Sequence, residues 1–332
     1  MSEKDLVLEH QGMLEVVDLK TYYRTIRGPL KAVDGVSFSV QKGEILGLVG
    51  ESGCGKTTLA LSVIRLLPPA SYVAAGKISL DGQDVLSLTE GQMKDIRWKK
   101  VSIIFQGALN SLNPVLTVKE QIAEAILAHQ KIEKRKVEAR IDELFDAVGL
   151  ERTRTSNFPH EFSGGMKQRV MIAMALACDP DLVIADEPTT ALDVIVQYQI
   201  LDLIRSLRDR LQISMILITH DLSVVAELCD KIGIMYAGKM VEFGGIFEIF
   251  ETPKHPYTRA LLKSIPKMEG AKTRLTYISG SVPDLTGPVP ACRFYGRCPY
   301  GQKICEEVEP RSEPVTSGHY VACHFWRDIE KQ

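Results

Sequence analysis

The chain has 332 residues, of which 45% are hydrophobic and 25% charged, with a net charge of −2. That size suits one large domain plus an extension, and the near-neutral charge without a basic stripe argues against a nucleic-acid partner. No apolar run reaches the roughly 18 residues of a membrane helix. The longest, residues 170–185, is broken by Asp179-Pro180-Asp181, and the acidic start lacks the apolar core of an export signal, so a cytosolic chain is expected.

Residues 13–46 read as β-rich, with hairpin-like alternation over 32–40 and two adjacent tyrosines, Tyr22 and Tyr23. Residues 44–49 form a short apolar run that predicts a buried strand. It leads into Gly50-Glu51-Ser52-Gly53-Cys54-Gly55-Lys56-Thr57, and residues 58–64 predict a helix behind that turn. Glycines let successive backbone N–H groups point at phosphates, and the helix start adds positive potential. Lys56 then reaches the β- and γ-phosphates, and the Thr57 hydroxyl suits Mg²⁺. Cys54 lies in the same turn, where the helix dipole and Lys56 predict a lowered pKa and a reactive thiol.

Gln106 follows a strand at 101–105, and residues 110–179 read as mainly helical. The mixed-sign run over 131–140 predicts a solvated helix face. Phe162-Ser163-Gly164-Gly165 is another small-residue turn opening a helix, whose N–H groups suit an anion. A strand at 182–185 delivers Asp186 and Glu187, the first placed to hold Mg²⁺ through water and the second to polarise the water attacking a γ-phosphate. Ala191-Leu192-Asp193 comes next, then a strand at 215–219 followed by His220, and further strands begin near Ile232 and Met240.

These motifs, in this order over about residues 13–250, resemble the ATP-binding cassette (ABC) ATPases, although that family usually has Leu and Gln where this chain has Phe162 and Met166. The resemblance implies an α/β fold: a P-loop, RecA-like core with mixed sheet, an antiparallel β subdomain and an inserted helical subdomain at about 107–179. It implies ATP contacts from Gly50, Ser52, Gly53, Cys54, Gly55, Lys56, Thr57 and Thr58, with Tyr23, or neighbouring Tyr22, stacking on adenine. Mg²⁺ would be held by Thr57, Gln106 and Asp186, with Glu187, His220 and Gln106 serving hydrolysis. Two cassettes would sandwich ATP, with Ser163, Gly164 and Gly165 of one facing the nucleotide of the other and Asp193 crossing the interface.

Beyond residue 255 lies a tail that continues the motif His255-Pro256-Tyr257 and carries four of the seven cysteines, Cys292, Cys298, Cys305 and Cys323, spaced C-x5-C-x6-C-x17-C. Cys178 and Cys229 read as packing residues. Disulfides are not expected in a cytosolic chain, and four thiols in a short segment suggest a metal that stabilises it. The wide spacing can wrap an iron–sulfur cluster, His319 and His324 keep zinc open, and unmetallated thiols are a third reading.

The tail resembles that of ATPase subunits of dipeptide and oligopeptide importers, a group including nickel importers. That resemblance implies a cassette at 13–255, an extension at 256–332 holding a [4Fe–4S] cluster, and a peripheral place on the cytoplasmic face of the membrane. The partners implied are two membrane-spanning permease subunits, a second ATPase subunit and an external solute-binding protein, with no nucleic acid. Alternatives from other classes are a DNA-repair or chromosome-type ATPase, a translation-type cassette factor, or a metal-dependent regulator.

Overall fold

The computed structural model describes residues 12–107, 111–264, 278–287 and 289–329. The chain begins with strands Leu14–Thr25 (β1) and Gly28–Val40 (β2), followed by Ile45–Val49 (β3), helix Lys56–Val63 (α1), and strands Ser71–Leu80 (β4) and Gln83–Asp84 (β5). Next come Glu90–Ile96 (α2), Val101–Ile104 (β6), Val118–His129 (α3), Lys134–Ala147 (α4), Gly164–Ala175 (α5), Leu182–Asp186 (β7), Val194–Leu211 (α6) and Ser214–Thr219 (β8). The remainder comprises Leu222–Leu228 (α7), Lys231–Tyr236 (β9), Lys239–Gly245 (β10), Ile246–Glu251 (α8), Pro256–Lys263 (α9), Lys303–Glu307 (α10), Glu313–Thr316 (β11), His319–Val321 (β12) and Trp326–Ile329 (α11).

Two units divide these elements, one made of residues up to 41, 45–86 and 219 onward, the other of 42–44 and 87–218. The first unit contains an antiparallel sheet in the order β2-β1-β4-β5. Alternation explains its inner face: Leu14, Val16, Leu19, Val36, Phe38 and Ile78 are buried, while intervening residues are more exposed. The left-handed Asp18 sits where the β1 register with both neighbours shifts, a bulge that bends the strand.

The same unit holds a second run of strands in the order β11-β12-β10-β9-β3. Here β3 and β9 are parallel, and β9, β10, β12 and β11 then alternate antiparallel. All five residues of β3 are buried, as befits a strand covered on both faces. Gly47 explains how closely that cover packs, because a β-carbon there would meet Val225 Cγ1 at 2.6 Å and Cys229 Sγ at 3.0 Å.

In the second unit β8, β7 and β6 form a parallel set, and β7 and β8 are buried along their whole length. Helices α3, α4 and α5 occupy much of 118–175, with two short helical turns between α4 and α5, matching the mainly helical reading of that stretch. Thr117 starts α3 with a capping box, its hydroxyl accepting from Glu120 N while the Glu120 carboxylate accepts from Thr117 N at 2.7 Å. The charged run expected on a solvated face lies largely on α4, which buries Val137, Ile141, Leu144 and Phe145. Both Cys178 and Cys229 are buried, in keeping with packing roles.

Candidate functional site

The turn expected to bind phosphate joins β3 to α1 in the first unit. Gly55 occupies the N-cap of α1 at φ 105°, and no side chain caps the helix, so the backbone amides of its first turn suit an anion. A β-carbon at Gly55 would lie 2.1 Å from the Ala32 carbonyl oxygen, which makes glycine a steric requirement there. The Lys56 ammonium folds back over the turn, donating to Gly50 O at 2.6 Å and Glu51 O at 3.2 Å. Ser52, Gly53 and Thr57 are exposed, whereas Thr58 is buried and its hydroxyl meets the Tyr23 phenol at 3.1 Å. Tyr22 is otherwise engaged, donating to Asp34 at 2.7 Å and lying edge-on to Tyr72. His220 follows β8 as an exposed residue, and Asp221 caps α7 through Ser223 N.

The Cys54 thiol departs from the expected reactive group. It is fully buried, and loss of solvent pushes its pKa up despite the Lys56 ammonium 3.6 Å away. Sequence proximity identified the charge and missed the burial.

In the second unit the two carboxylates follow β7. Asp186 is only 2% exposed at the strand end. Glu187 takes a left-handed conformation, φ 48°, that re-aims the chain, and its N–H donates to Ile218 O at 2.9 Å. One carboxylate oxygen, Oε2, accepts from Gln106 Nε2 at 2.9 Å and from Thr190 Oγ1 at 2.8 Å. Gln106 and Glu187, distant in sequence, are thereby brought together, and Thr190 is a partner that sequence reasoning missed. Ser163 caps α5 through Met166 N, so Gly164 and Gly165 form its first turn. A β-carbon on Gly165 would strike Val196 Cγ1 at 2.5 Å. The Asp193 carboxylate caps α6, accepting from Val196 N at 2.9 Å.

Residues 33–190 match the ABC transporter family, and residues 241–305 match the oligopeptide/dipeptide transporter C-terminal region. The chain is 45% identical over 316 residues to the dipeptide transport ATP-binding protein DppD of Bacillus subtilis, covering 94% of both chains. It is 46% identical to the oligopeptide transport ATP-binding protein OppD of the same organism, over 93% of this chain and 87% of that one. The chain belongs to the ABC transporter ATP-binding family. Solved structures similar to this ABC protein include the cassette MJ0796 bound to ADP and Pi, with a TM-score of 0.63 at 26% identity over 70% of this chain and 99% of that one. Another is cbiO1 from Clostridium perfringens, part of the transporter complex cbiONQ, with a TM-score of 0.64 at 26% identity over 74% and 93% of the two chains. The α/β cassette fold with its mixed sheet is thus established, and with it ATP hydrolysis as the family's activity.

The tail of this ABC protein has more apolar packing than its composition suggests: Phe294, Trp326 and Ile329 are buried, and Phe294 packs its ring against Tyr236 and Tyr257. Cys292, Cys298, Cys305 and Cys323 line one pocket with His255 and His324. Main-chain bonds hold that arrangement, Cys292 N donating to Cys305 O at 2.7 Å and Gly301 N to Cys298 O at 3.1 Å. Burial pushes the Cys292 thiol up to about 11 and Cys323 up to about 12. Among the described residues, no group of three or more His, Cys, Asp or Glu could hold a metal ion, so neither the cluster nor the zinc expected to stabilise the extension is supported here. His319 is committed elsewhere, to Glu242 at 2.9 Å.

Proposed function

We propose that this chain is the ATP-hydrolysing motor subunit of a membrane importer of dipeptides or oligopeptides. The observation that carries this reading is the match of residues 241–305 to the oligopeptide/dipeptide transporter C-terminal region, on a chain whose phosphate loop and carboxylates suit ATP hydrolysis. We assign residues 13–255 to the cassette and 256–332 to the extension. Among the described residues no helix is long and apolar enough to cross a membrane. The similarity to dipeptide and oligopeptide transport ATP-binding proteins supports a peripheral subunit on the cytoplasmic face, with two permease subunits and an external solute-binding protein as partners.

Lys56 and the loop amides at Gly50, Ser52, Gly53, Cys54 and Gly55 are proposed to bind the phosphates, with Thr57 and Thr58 beside them and Tyr23 at the adenine. The donor set proposed for Mg²⁺, from Thr57, Gln106 and Asp186, is all oxygen, which fits a hard cation. Bound there, Mg²⁺ neutralises charge on the β- and γ-phosphates. Glu187 orients and polarises the attacking water, with Gln106 and Thr190 holding one carboxylate oxygen, and His220 contacts the γ-phosphate. A second ATPase subunit would present its own Ser163, Gly164 and Gly165 equivalents to the nucleotide. The exposed apolar residues Val194, Ile195 and Tyr198, directly after Asp193, support such pairing.

Cys292, Cys298, Cys305 and Cys323 are further proposed to hold a [4Fe–4S] cluster. The support for this reading is that the four thiols, widely spaced in sequence, line one pocket. When bound, the cluster would cross-link tail segments that are otherwise joined by turns. Chain purified without oxygen should show about four irons and four sulfides and absorb near 400 nm; stoichiometric zinc without sulfide would exclude the cluster. The transport reading is tested in vesicles containing the chain, its permease and its binding protein. Hydrolysis should rise with added dipeptide or oligopeptide. A response to nickel alone would favour the nickel-import alternative.

A further inference from the structure

Nucleotide chemistry as assigned so far gives no part to the His255-Pro256-Tyr257 motif or to the cysteine-bearing tail, yet both reach the phosphate loop. The Tyr257 phenolic oxygen accepts from Glu51 N at 3.0 Å. Arg297, the residue before Cys298, makes a bidentate pair with the Glu51 carboxylate, Nη1 to Oε2 at 2.8 Å and Nη2 to Oε1 at 3.0 Å. The Arg297 side chain is only 7% exposed and that of Glu51 29%. The remaining guanidinium bonds fix its orientation: Nε donates to Ser279 O at 2.9 Å, Nη2 to Ile278 O at 3.0 Å and Nη1 to Tyr236 OH at 3.2 Å. Tyr236 and Tyr257 are themselves in ring contact, with centroids 4.7 Å apart.

Glu51 is therefore gripped through its side chain by one tail residue and through its main chain by another. It is the second residue of the turn, next to Gly50, and its carbonyl accepts from Cys54 N and Lys56 Nζ. A shift of Glu51 would move the carbonyl that orients Lys56 and the peptide leading to Ser52. We propose that Arg297 and Tyr257 are positioning residues for ATP, clamping Glu51 so that the phosphate loop is held ready for the nucleotide. This rests on the ATPase reading and adds to it that the C-terminal extension takes part in nucleotide affinity. A preset loop loses less freedom on binding, so the clamp acts on affinity more than on the hydrolytic step.

The test measures Mg-ATP affinity and the saturated hydrolysis rate of the full chain for wild type, Arg297→Met, Arg297→Lys, Glu51→Gln, Tyr257→Phe and the Arg297→Met/Glu51→Gln pair. Arg297→Met and Glu51→Gln should each weaken Mg-ATP binding about tenfold while kcat stays within about twofold. Their combination should be no worse than the worse single change, and Arg297→Lys should recover part of the loss. Tyr257→Phe keeps the ring and should still weaken binding, so the clamp stays open to refutation even if Arg297→Met does not fold. Wild-type affinity in Tyr257→Phe together with wild-type affinity in Arg297→Met or Glu51→Gln, or multiplicative losses in the pair, would overturn the clamp. A wild-type chain that bound no Mg-ATP would overturn the ATPase reading itself, a distinct result.

Discussion

The Glu242 carboxylate on β10 meets the His319 imidazole of β12 at 2.9 Å, and each side chain is at most 2% exposed. The same carboxylate accepts from Lys254 N at 2.7 Å and His255 N at 2.9 Å. One buried acid therefore ties together the strand, the turn into α9 and the tail. Removing its partner leaves part of that acid unsatisfied, so His319→Ala should lower stability by about 3 kcal/mol. Denaturant unfolding would read this directly, and a loss below about 0.5 kcal/mol would show the pin to be dispensable.

His255 gives the fold a pH dependence. Burial lowers its pKa from 6.5 to about 4, so the folded chain keeps the ring neutral while the unfolded chain protonates it. Its Nδ1 accepts from Tyr257 N at 3.1 Å, a bond that needs the neutral ring. Stability from this residue is complete above about pH 6.5 and is lost as pH falls toward 4, by about 3 kcal/mol in all. His255→Asn retains a capping oxygen and should flatten that slope. Unfolding measured across about pH 4 to 7 with equal slopes for both proteins would contradict the assignment.

Glu187→Gln should cut ATP hydrolysis at least about hundredfold while ATP still binds and the protein elutes as a dimer with it. Gln106→Ala removes the donor to the same carboxylate oxygen and should cost less, about tenfold. Hydrolysis at the wild-type rate in Glu187→Gln would move the general base elsewhere.

Cys54 should resist alkylation in the native chain, because its sulfur is buried and held protonated. Mass spectrometry after a timed pulse of iodoacetamide should find it labelled only once denaturant is added. Rapid native labelling that ATP prevents would restore the reactive-thiol expectation.

Gly55→Ala places a methyl against the Ala32 carbonyl at a φ that L residues rarely adopt. ATP binding should fall by more than about tenfold, with the rest of the fold retained in circular dichroism. Unchanged affinity would mean that the turn relaxes freely.

Local signals made much of the fold and site readable. The run before Gly50 became β3, the run before Asp186 became β7, and small residues at 163–165 did open a helix, because strand burial, turn glycines and helix starts are decided within a few neighbours. What escaped were pairings across long separations. Gln106 and Glu187 share a bond 81 positions apart, and Arg297 reaches Glu51 over 246. Nothing in a single sequence marks which distant residue satisfies a given charge. The Cys54 expectation failed for the same reason, since the dipole and Lys56 are neighbours in sequence whereas the burial that outweighs them is contributed partly by distant residues.

The antiparallel run ending β10-β12-β11 has one more consequence. Without the tail, β10 would be a bare sheet margin of seven residues, offering unpaired amides and carbonyls to any extended chain. The tail covers the middle of that margin, pairing Glu242 and Phe243 with β12, and beyond it lies β11, four residues long and carrying Pro314, which has no N–H to offer. A cassette trimmed to end before residue 256 would therefore be prone to clump through strand addition, whatever its capacity to bind ATP.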